Sequence, residues 1–183
     1  MLREAFDSIT VETGDIQEII GMHVRIDRMK VRAFVSQRHY ADKIEEKFGI
    51  TRGAVTPSTS DLFADDFDDE LLEDQKEFMS INSYSMYGAK RTYPEILPPV
   101  VTLSSKYNKA TKSDMVKARR VAEYIYGTRE EHCLVLSPRS LQIVAASDAS
   151  YAEHADARSH TCGVIGFESN TGCWFSFINC KQP

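Results

Sequence analysis

The chain has 183 residues, with 27 acidic against 22 basic and a formal charge of −5. It is 42% apolar and 27% charged, an ordinary globular balance for one domain or parts of two. No run of about 18 apolar residues exists, which excludes a helical membrane span. The opening Met1-Leu2-Arg3-Glu4-Ala5-Phe6-Asp7 does not read as a secretory leader, so a cytoplasmic or nuclear location is expected. Cys133, Cys162, Cys173 and Cys180 form no C-x-x-C pair, so free thiols are expected rather than a zinc site or a disulfide-stapled scaffold.

Met22 to Asp27 alternates apolar and polar residues, as a half-buried strand does. Arg28-Met29-Lys30 can turn and Val31 to Val35 can return, which predicts a hairpin. Ser36 then offers an N-cap hydroxyl to a helix carrying Tyr40, Ala41, Ile44 and Phe48 on one face, with Gly49 as its C′ glycine.

Residues 51–77 read as a connector. The stretch 61–77 holds nine acids (Asp61, Asp65, Asp66, Asp68, Asp69, Glu70, Glu73, Asp74 and Glu77) against Lys76. A solvated linker is the expected role, because like-charged runs stay hydrated, and an interaction segment is the alternative. Leu62, Phe63, Phe67, Leu71 and Leu72 interrupt the run, so part of it is expected to dock or form a short helix.

Residues 78–107 suit a helix in two pieces, since Pro94, Pro98 and Pro99 each lack a donor and clash one turn back. Thr111-Lys112-Ser113-Asp114 fits a capping box. It opens a helix with Ala118, Val121, Ala122 and Ile125 toward the core, Lys117, Arg119 and Arg120 outward, and Gly127 as its stop. Residues 90–120 carry eight bases against Glu95 and Asp114, a local basic stretch compatible with a polyanion or, more plainly, a solvated face.

After Ser137-Pro138-Arg139-Ser140 the period changes. Leu141 to Ala146, Val164 to Phe167 and Cys173 to Ile178 predict three consecutive strands, a meander. The first ends at Ser147-Asp148-Ala149-Ser150. Trp174 lies in the third.

Catalytic signatures are scarce: no G-x-S-x-G, no P-loop, no G-x-G-x-x-G and no H-E-x-x-H. Asp148, at the end of an apolar strand, is where a ribonuclease-H-like sheet presents its first metal-binding carboxylate, although an Asp there also simply caps a turn. A two-cation centre needs several carboxylates. Glu153, His154, Asp156 and His160 follow in a loop without a metal-ligand spacing and read better as exposed polar residues.

Four segments, in order, resemble the C-terminal part of a copia-type retrotransposon polyprotein. Glu12-Thr13-Gly14-Asp15-Ile16 through Ile20-Gly21-Met22-His23-Val24 resembles its D-x-G-x-x-x-x-F-L-G-I-x-V, and Val35-Ser36-Gln37 with Tyr40 its L-S-Q-x-x-Y. Tyr87-Gly88-Ala89-Lys90-Arg91-Thr92-Tyr93-Pro94-Glu95-Ile96 resembles Y-L-A-x-R-T-R-P-E-I. Arg119-Arg120-Val121 with Tyr124-Ile125-Tyr126-Gly127-Thr128 resembles K-R-V-x-x-Y-L-x-G-T. Ser147-Asp148-Ala149-Ser150-Tyr151 through Arg158-Ser159-His160-Thr161 resembles D-A-S-Y…R-S-H-T-G. Tyr93 stands where the family has Arg, and Cys162 where it has Gly or Ser.

The resemblance implies a fragment of a reverse transcriptase–ribonuclease H. Residues 1–50 would be the end of the palm, the primer-grip hairpin and the first thumb helix. Residues 51–80 would be an acidic linker, 81–140 thumb and connection helices, and 141–183 a truncated ribonuclease-H-like domain. The expected fold is α+β: an N-terminal β-hairpin, a helical middle and a C-terminal three-stranded antiparallel meander. The implied partner is an RNA–DNA or DNA duplex bound without sequence preference, with Ile20, Gly21, Gln37, Lys90, Arg91, Lys106, Lys112, Lys117 and Arg120 as contacts. Asp148 would be the first ribonuclease H carboxylate and a magnesium ligand, the ion being held only if other acids are supplied. The family's Y-V-D-D does not occur in this sequence, so the chain by itself is expected to be inactive, as a decayed or truncated copy would be. The alternatives are an active assembly with the missing polymerase portion as partner, and a non-catalytic interaction or nucleic-acid-binding protein that reuses the fragment.

Overall fold

The computed structural model describes residues 13–62, 69–150, 160–169, 172–173 and 177–181. The fold is α+β, as expected. Strands β1 (Ile16–Ile19), β2 (Met22–Asp27) and β3 (Arg32–Ser36) lead into helix α1 (Arg38–Phe48). Helix α2 (Lys76–Ala89), a 3-10 turn (Pro94–Ile96), α3 (Leu97–Ser104) and α4 (Lys112–Thr128) make the middle. Strand β4 (Leu134–Leu136) returns to the first sheet, which is antiparallel in the order β1-β2-β3-β4.

The expected hairpin is β2–β3, registered Asp27 to Arg32 and Val24 to Val35. Its neighbours β1 and β4 were not expected. A two-residue turn at Ile20-Gly21, with φ of 50° and 71°, joins β1 to β2. Positive φ at both positions is the pattern of a type I′ turn, whose twist matches a hairpin. Gly21 adopts it freely, whereas the β-branched Ile20 is strained there.

Helix α1 starts one residue later than predicted. Ser36 remains in β3, and Gln37 takes the N-cap position without a side-chain cap bond. Gly49 ends the helix with φ of 63°, its N–H donating to the Glu45 carbonyl at 2.9 Å, as the sequence suggested. The prolines divide the next helical region as expected, with Pro94 opening the 3-10 turn and α3 following directly.

Both halves of the capping box at the start of α4 are present: Thr111 accepts from the Asp114 N–H, and the Asp114 carboxylate accepts from the Thr111 N–H. Ala118, Val121, Ala122 and Ile125 are buried as the spacing predicts. They pack with Ile44, Phe78, Ile81, Ile96, Leu97, Val100 and Leu103 in one core. Tyr93, the departure from the family pattern, also fills this core, stacked on the His132 ring at 3.8 Å.

Gly127 does not stop α4, which runs on through Thr128. It serves a close approach instead: a Cβ on either Gly127 or Gly53 would lie 2.7 Å from the other's Cα. The connector crosses α4 at this point, with Ala54 N–H donating to the Glu123 carbonyl and Arg52 paired with the Glu123 carboxylate at 2.8 Å.

The C-terminal strands follow in chain order. Strand β5 (Pro138–Ser150) pairs antiparallel with β6 (His160–Ser169), which pairs in turn with β7 (Gly172–Cys173) and β8 (Phe177–Lys181). This is the expected meander, with β5 extending through Asp148 to Ser150 rather than ending before it. Glu12, Phe63, Phe67, the acids at 65, 66 and 68, the loop residues Glu153, His154 and Asp156, and Trp174 lie outside the described residues.

Candidate functional site

The Ile20–Gly21 turn projects from the first sheet with both residues exposed, and α2 reaches up to hold it. The Tyr87 hydroxyl donates to the Ile20 carbonyl at 2.7 Å. Beneath the turn, α1 and α2 line a cleft of about 480 Å³ with Tyr40, Lys43, Lys47, Tyr84 and Tyr87. Ser80, Ser83 and His39 complete its wall.

The tyrosines form its floor. The Tyr40 and Tyr84 rings stack 4.2 Å apart and 6° from parallel, with Tyr87 tilted beside Tyr40 at 5.1 Å. Tyr40 donates its hydroxyl to the Tyr84 carbonyl, and Tyr84 donates to the Tyr40 carbonyl at 2.8 Å. Burial, with the neighbouring Glu46 charge, pushes the Tyr84 hydroxyl up to about 12, and burial raises Tyr40 further still. Both therefore remain protonated donors at neutral pH.

The cations sit over these rings. Lys47 Nζ lies 5.0 Å from the Tyr84 ring centre, and the Arg91 guanidinium lies 3.5 Å from that of Tyr87. Each is placed for a cation–π contact. Cations held beside this aromatic floor present positive charge along the cleft, which suits an anionic ligand.

On the other side of Gly21 and His39 lies a second cleft of about 410 Å³. Its charges are largely matched. His23 meets Glu18 at 2.7 Å, Arg38 meets Glu130 at 2.8 Å and Asp42 meets Arg129 at 3.1 Å.

The predicted contacts divide. Gly21 lines the cleft, Ile20 and Arg91 meet its Tyr87, and Lys90 is exposed just past the end of α2. Gln37, expected on the binding surface, is only 2% exposed. Its carbonyl oxygen accepts from the Thr92 hydroxyl at 2.8 Å, and its amide nitrogen has no partner among the described residues. It ties β3 to the residues before the 3-10 segment while lining the second cleft.

Lys106 is also largely buried. It pairs with Asp114 at 3.1 Å, the two side chains 16% and 3% exposed. That charge supports the capping box through Asp114.

Lys112, Lys117 and Arg120 lie on α4 and do not line the cleft, and Arg119 and Arg120 are not simply outward. Arg119 donates to the Phe48 carbonyl and to Glu77, and Arg120 to the Thr56 hydroxyl at 2.9 Å.

The acidic and basic stretches meet here. The Glu70 carboxylate accepts from Lys112 Nζ at 2.6 Å, and the Asp69 carboxylate accepts from the Ser113 N–H at 2.6 Å. Backbone bonds from Leu72 N–H to the Ala110 carbonyl and from Lys112 N–H to the Glu70 carbonyl lay residues 70–72 against the entry to α4. Gln75 fastens them, bonding both Leu72 and Ala110. Hydrogen bonds from Thr111 and Ser113 hold the Asp69 carboxyl below its ordinary range. The described end of the acid run, residues 69–77, is therefore docked, as the apolar residues that interrupt the run suggested for part of it, rather than solvated throughout.

Asp148 is exposed on β5 opposite Cys162, and its carboxylate accepts from the Ala149 N–H at 2.9 Å. Among the described residues, no three His, Cys, Asp or Glu side chains cluster as a metal site would require. No helix among them is long and apolar enough to cross a membrane.

Lys43, Lys47, Tyr84 and Tyr87 were not expected as site residues. Tyr40, Lys43 and Lys47 recur at i, i+3 and i+7, a helical spacing that places them on one side of α1. That signal was present beside the core stripe of Ala41 and Ile44.

No family model, curated protein or solved structure matches this chain.

Proposed function

We propose that this chain is the primer-gripping and thumb portion of a copia-type reverse transcriptase, joined to the start of its ribonuclease H sheet. In this reading it binds a primer–template duplex through the sugar–phosphate backbone. The observation that carries the reading is the tyrosine-floored, lysine-edged cleft beneath the exposed Ile20–Gly21 turn. Residues from separate resembling segments converge there: Ile20 and Gly21 from the first, Tyr87 and Arg91 from the second. Backbone gripping positions a nucleic acid without reading its sequence.

Asp148 supplies one carboxylate where a two-cation centre needs several, so no cleavage step is proposed for the chain by itself. Magnesium chemistry at Asp148 would require acids from the rest of such an enzyme.

The test is fluorescence anisotropy with a labelled RNA–DNA hybrid and a DNA duplex of unrelated sequence, titrated across salt. Both are expected to bind similarly, with affinity falling as salt rises. Lys43→Gln with Lys47→Gln is expected to flatten the log–log salt slope by about 2. Salt-independent binding, or an unchanged slope in the double variant, would overturn the reading.

A further inference from the structure

Four residues of α2 share one face: Glu77, Ser80, Tyr84 and Tyr87, at i, i+3, i+7 and i+10. The last three line the cleft, so Glu77 stands one turn beyond its far end. There it pairs with Arg119 at 3.1 Å. Arg119 also bonds the carbonyl of Phe48, the residue after Lys47. The row of cations that starts at Lys43 and Lys47 thus continues onto α4 through Arg119, and one turn or two further lies Lys112. Both α4 cations are occupied by carboxylates of the same short segment, Glu77 on Arg119 and Glu70 on Lys112.

We propose that residues 69–77 act as a built-in polyanion, occupying the α4 end of a basic track, and that nucleic acid extends along that track by displacing their carboxylates. This rests on the nucleic-acid reading of the cleft and adds to it how far the bound strand reaches and what it competes with.

The energetics of the pairs favour exchange. Lys112 and Glu70 are 62% and 68% exposed, and Glu77 is 60% exposed. Exposed ion pairs contribute little to stability. A nucleic acid arriving at the same cations also releases condensed counterions, which a pair of protein carboxylates does not. The backbone bonds of residues 70–72 and the Gln75 clasp need not break, because Glu70 and Glu77 reach α4 through their side chains. The carboxylates can swing away while the segment stays seated. The Lys106–Asp114 pair is different: it is buried and belongs to the capping box, so it does not exchange.

The experiment compares the full chain with Glu70→Gln/Glu77→Gln, using the same labelled hybrid, at low and high salt. Glu73→Gln is the control: Glu73 is exposed, lies in the same segment, and is not among the carboxylates on α4. Thermal unfolding confirms that each variant is folded. The double variant is expected to bind about three- to tenfold more tightly at low salt, converging with the parent at high salt. Glu73→Gln is expected to change affinity by less than about twofold. If the double variant binds no better than the parent, or Glu73→Gln gains as much as the double variant, competition by this segment is overturned while the cleft reading stands. If neither parent nor variants bind the hybrid at low salt, the cleft reading falls, and this inference with it.

Discussion

The Tyr87 hydroxyl and the Ile20 carbonyl, 67 residues apart, meet at 2.7 Å. The bond fixes a surface turn of the first sheet to the middle helix. A Cβ at Gly21 would sit 3.4 Å from the same hydroxyl, so the turn and the phenol are in van der Waals contact as well. Tyr87→Phe keeps the ring under Arg91 and removes only the bond. It is expected to lower hybrid affinity about two- to fivefold while costing about 1 kcal/mol or less of stability, because the turn is solvated. Anisotropy alongside thermal unfolding checks both, and an unchanged affinity would show that the turn needs no tether.

Gly127 lies inside α4, where alanine would ordinarily improve a helix by about 1 kcal/mol. Here the added methyl would meet the Gly53 backbone at 2.7 Å. Backbone on both sides cannot yield as a flexible side chain could. Gly127→Ala is therefore expected to destabilise the chain by about 1–3 kcal/mol, read as a lowered denaturation midpoint. A stabilised variant would contradict the packing.

Lys106 separates a structural role from a binding one. Lys106→Met leaves the Asp114 carboxylate buried with only its capping-box donors. The loss is expected to be about 2–3 kcal/mol, below the usual cost of stranding a buried charge because Thr111 still bonds Asp114. Hybrid affinity measured on the folded variant is expected to stay within about twofold of the parent.

The docking of Asp69 is expected to depend on acid pH. Its carboxyl is held below the ordinary range by Thr111 and Ser113. A depressed acid contributes stability above its unfolded value and loses it as pH falls through its folded value. Lys112 is raised by Glu70, so its contribution persists up to high pH and is lost only as pH climbs through the raised value. The thermal midpoint should therefore be flat near neutrality and fall below about pH 4. Asp69→Asn should reduce that acid-side fall, and an identical pH profile would remove Asp69 from the account.

Much of the helical layout was legible. Helix α4 carries apolar residues at i, i+3, i+4 and i+7 (Ala118, Val121, Ala122 and Ile125), α1 carries them at i, i+3 and i+7 (Ala41, Ile44 and Phe48), and the capping box at Thr111 follows from local chemistry that needs no tertiary partner. The prolines marked the break after α2 for the same local reason. Strand β4 was not legible, because Leu134-Val135-Leu136 is too short to show a period and its partner lies far back in the chain.

The same limit explains what the sequence did not reveal about these side chains. Lys106 and Gln37 look like surface residues in a list of polar side chains, and only packing reveals that Asp114 and Thr92 claim them. Lys43 and Lys47 were visible as residues, but their value depends on α2 bringing Tyr84 alongside. The charge run was visible too. That its end folds back on α4 depends on Gln75 meeting Ala110, a contact between distant segments.

Strand β3 pairs with β4 across about a hundred residues, Val35 opposite Leu134, so the first sheet encloses the entire helical region between its strands. During synthesis, the β2–β3 hairpin emerges about a hundred residues before Leu134 arrives to fill its remaining hydrogen-bonding edge. Until then the Ile20–Gly21 turn stands on an incomplete platform, and the helices must assemble before it is secured. Ribosome-stalled chains ending shortly before Leu134 should accordingly show protected helices and a still-exchanging hairpin.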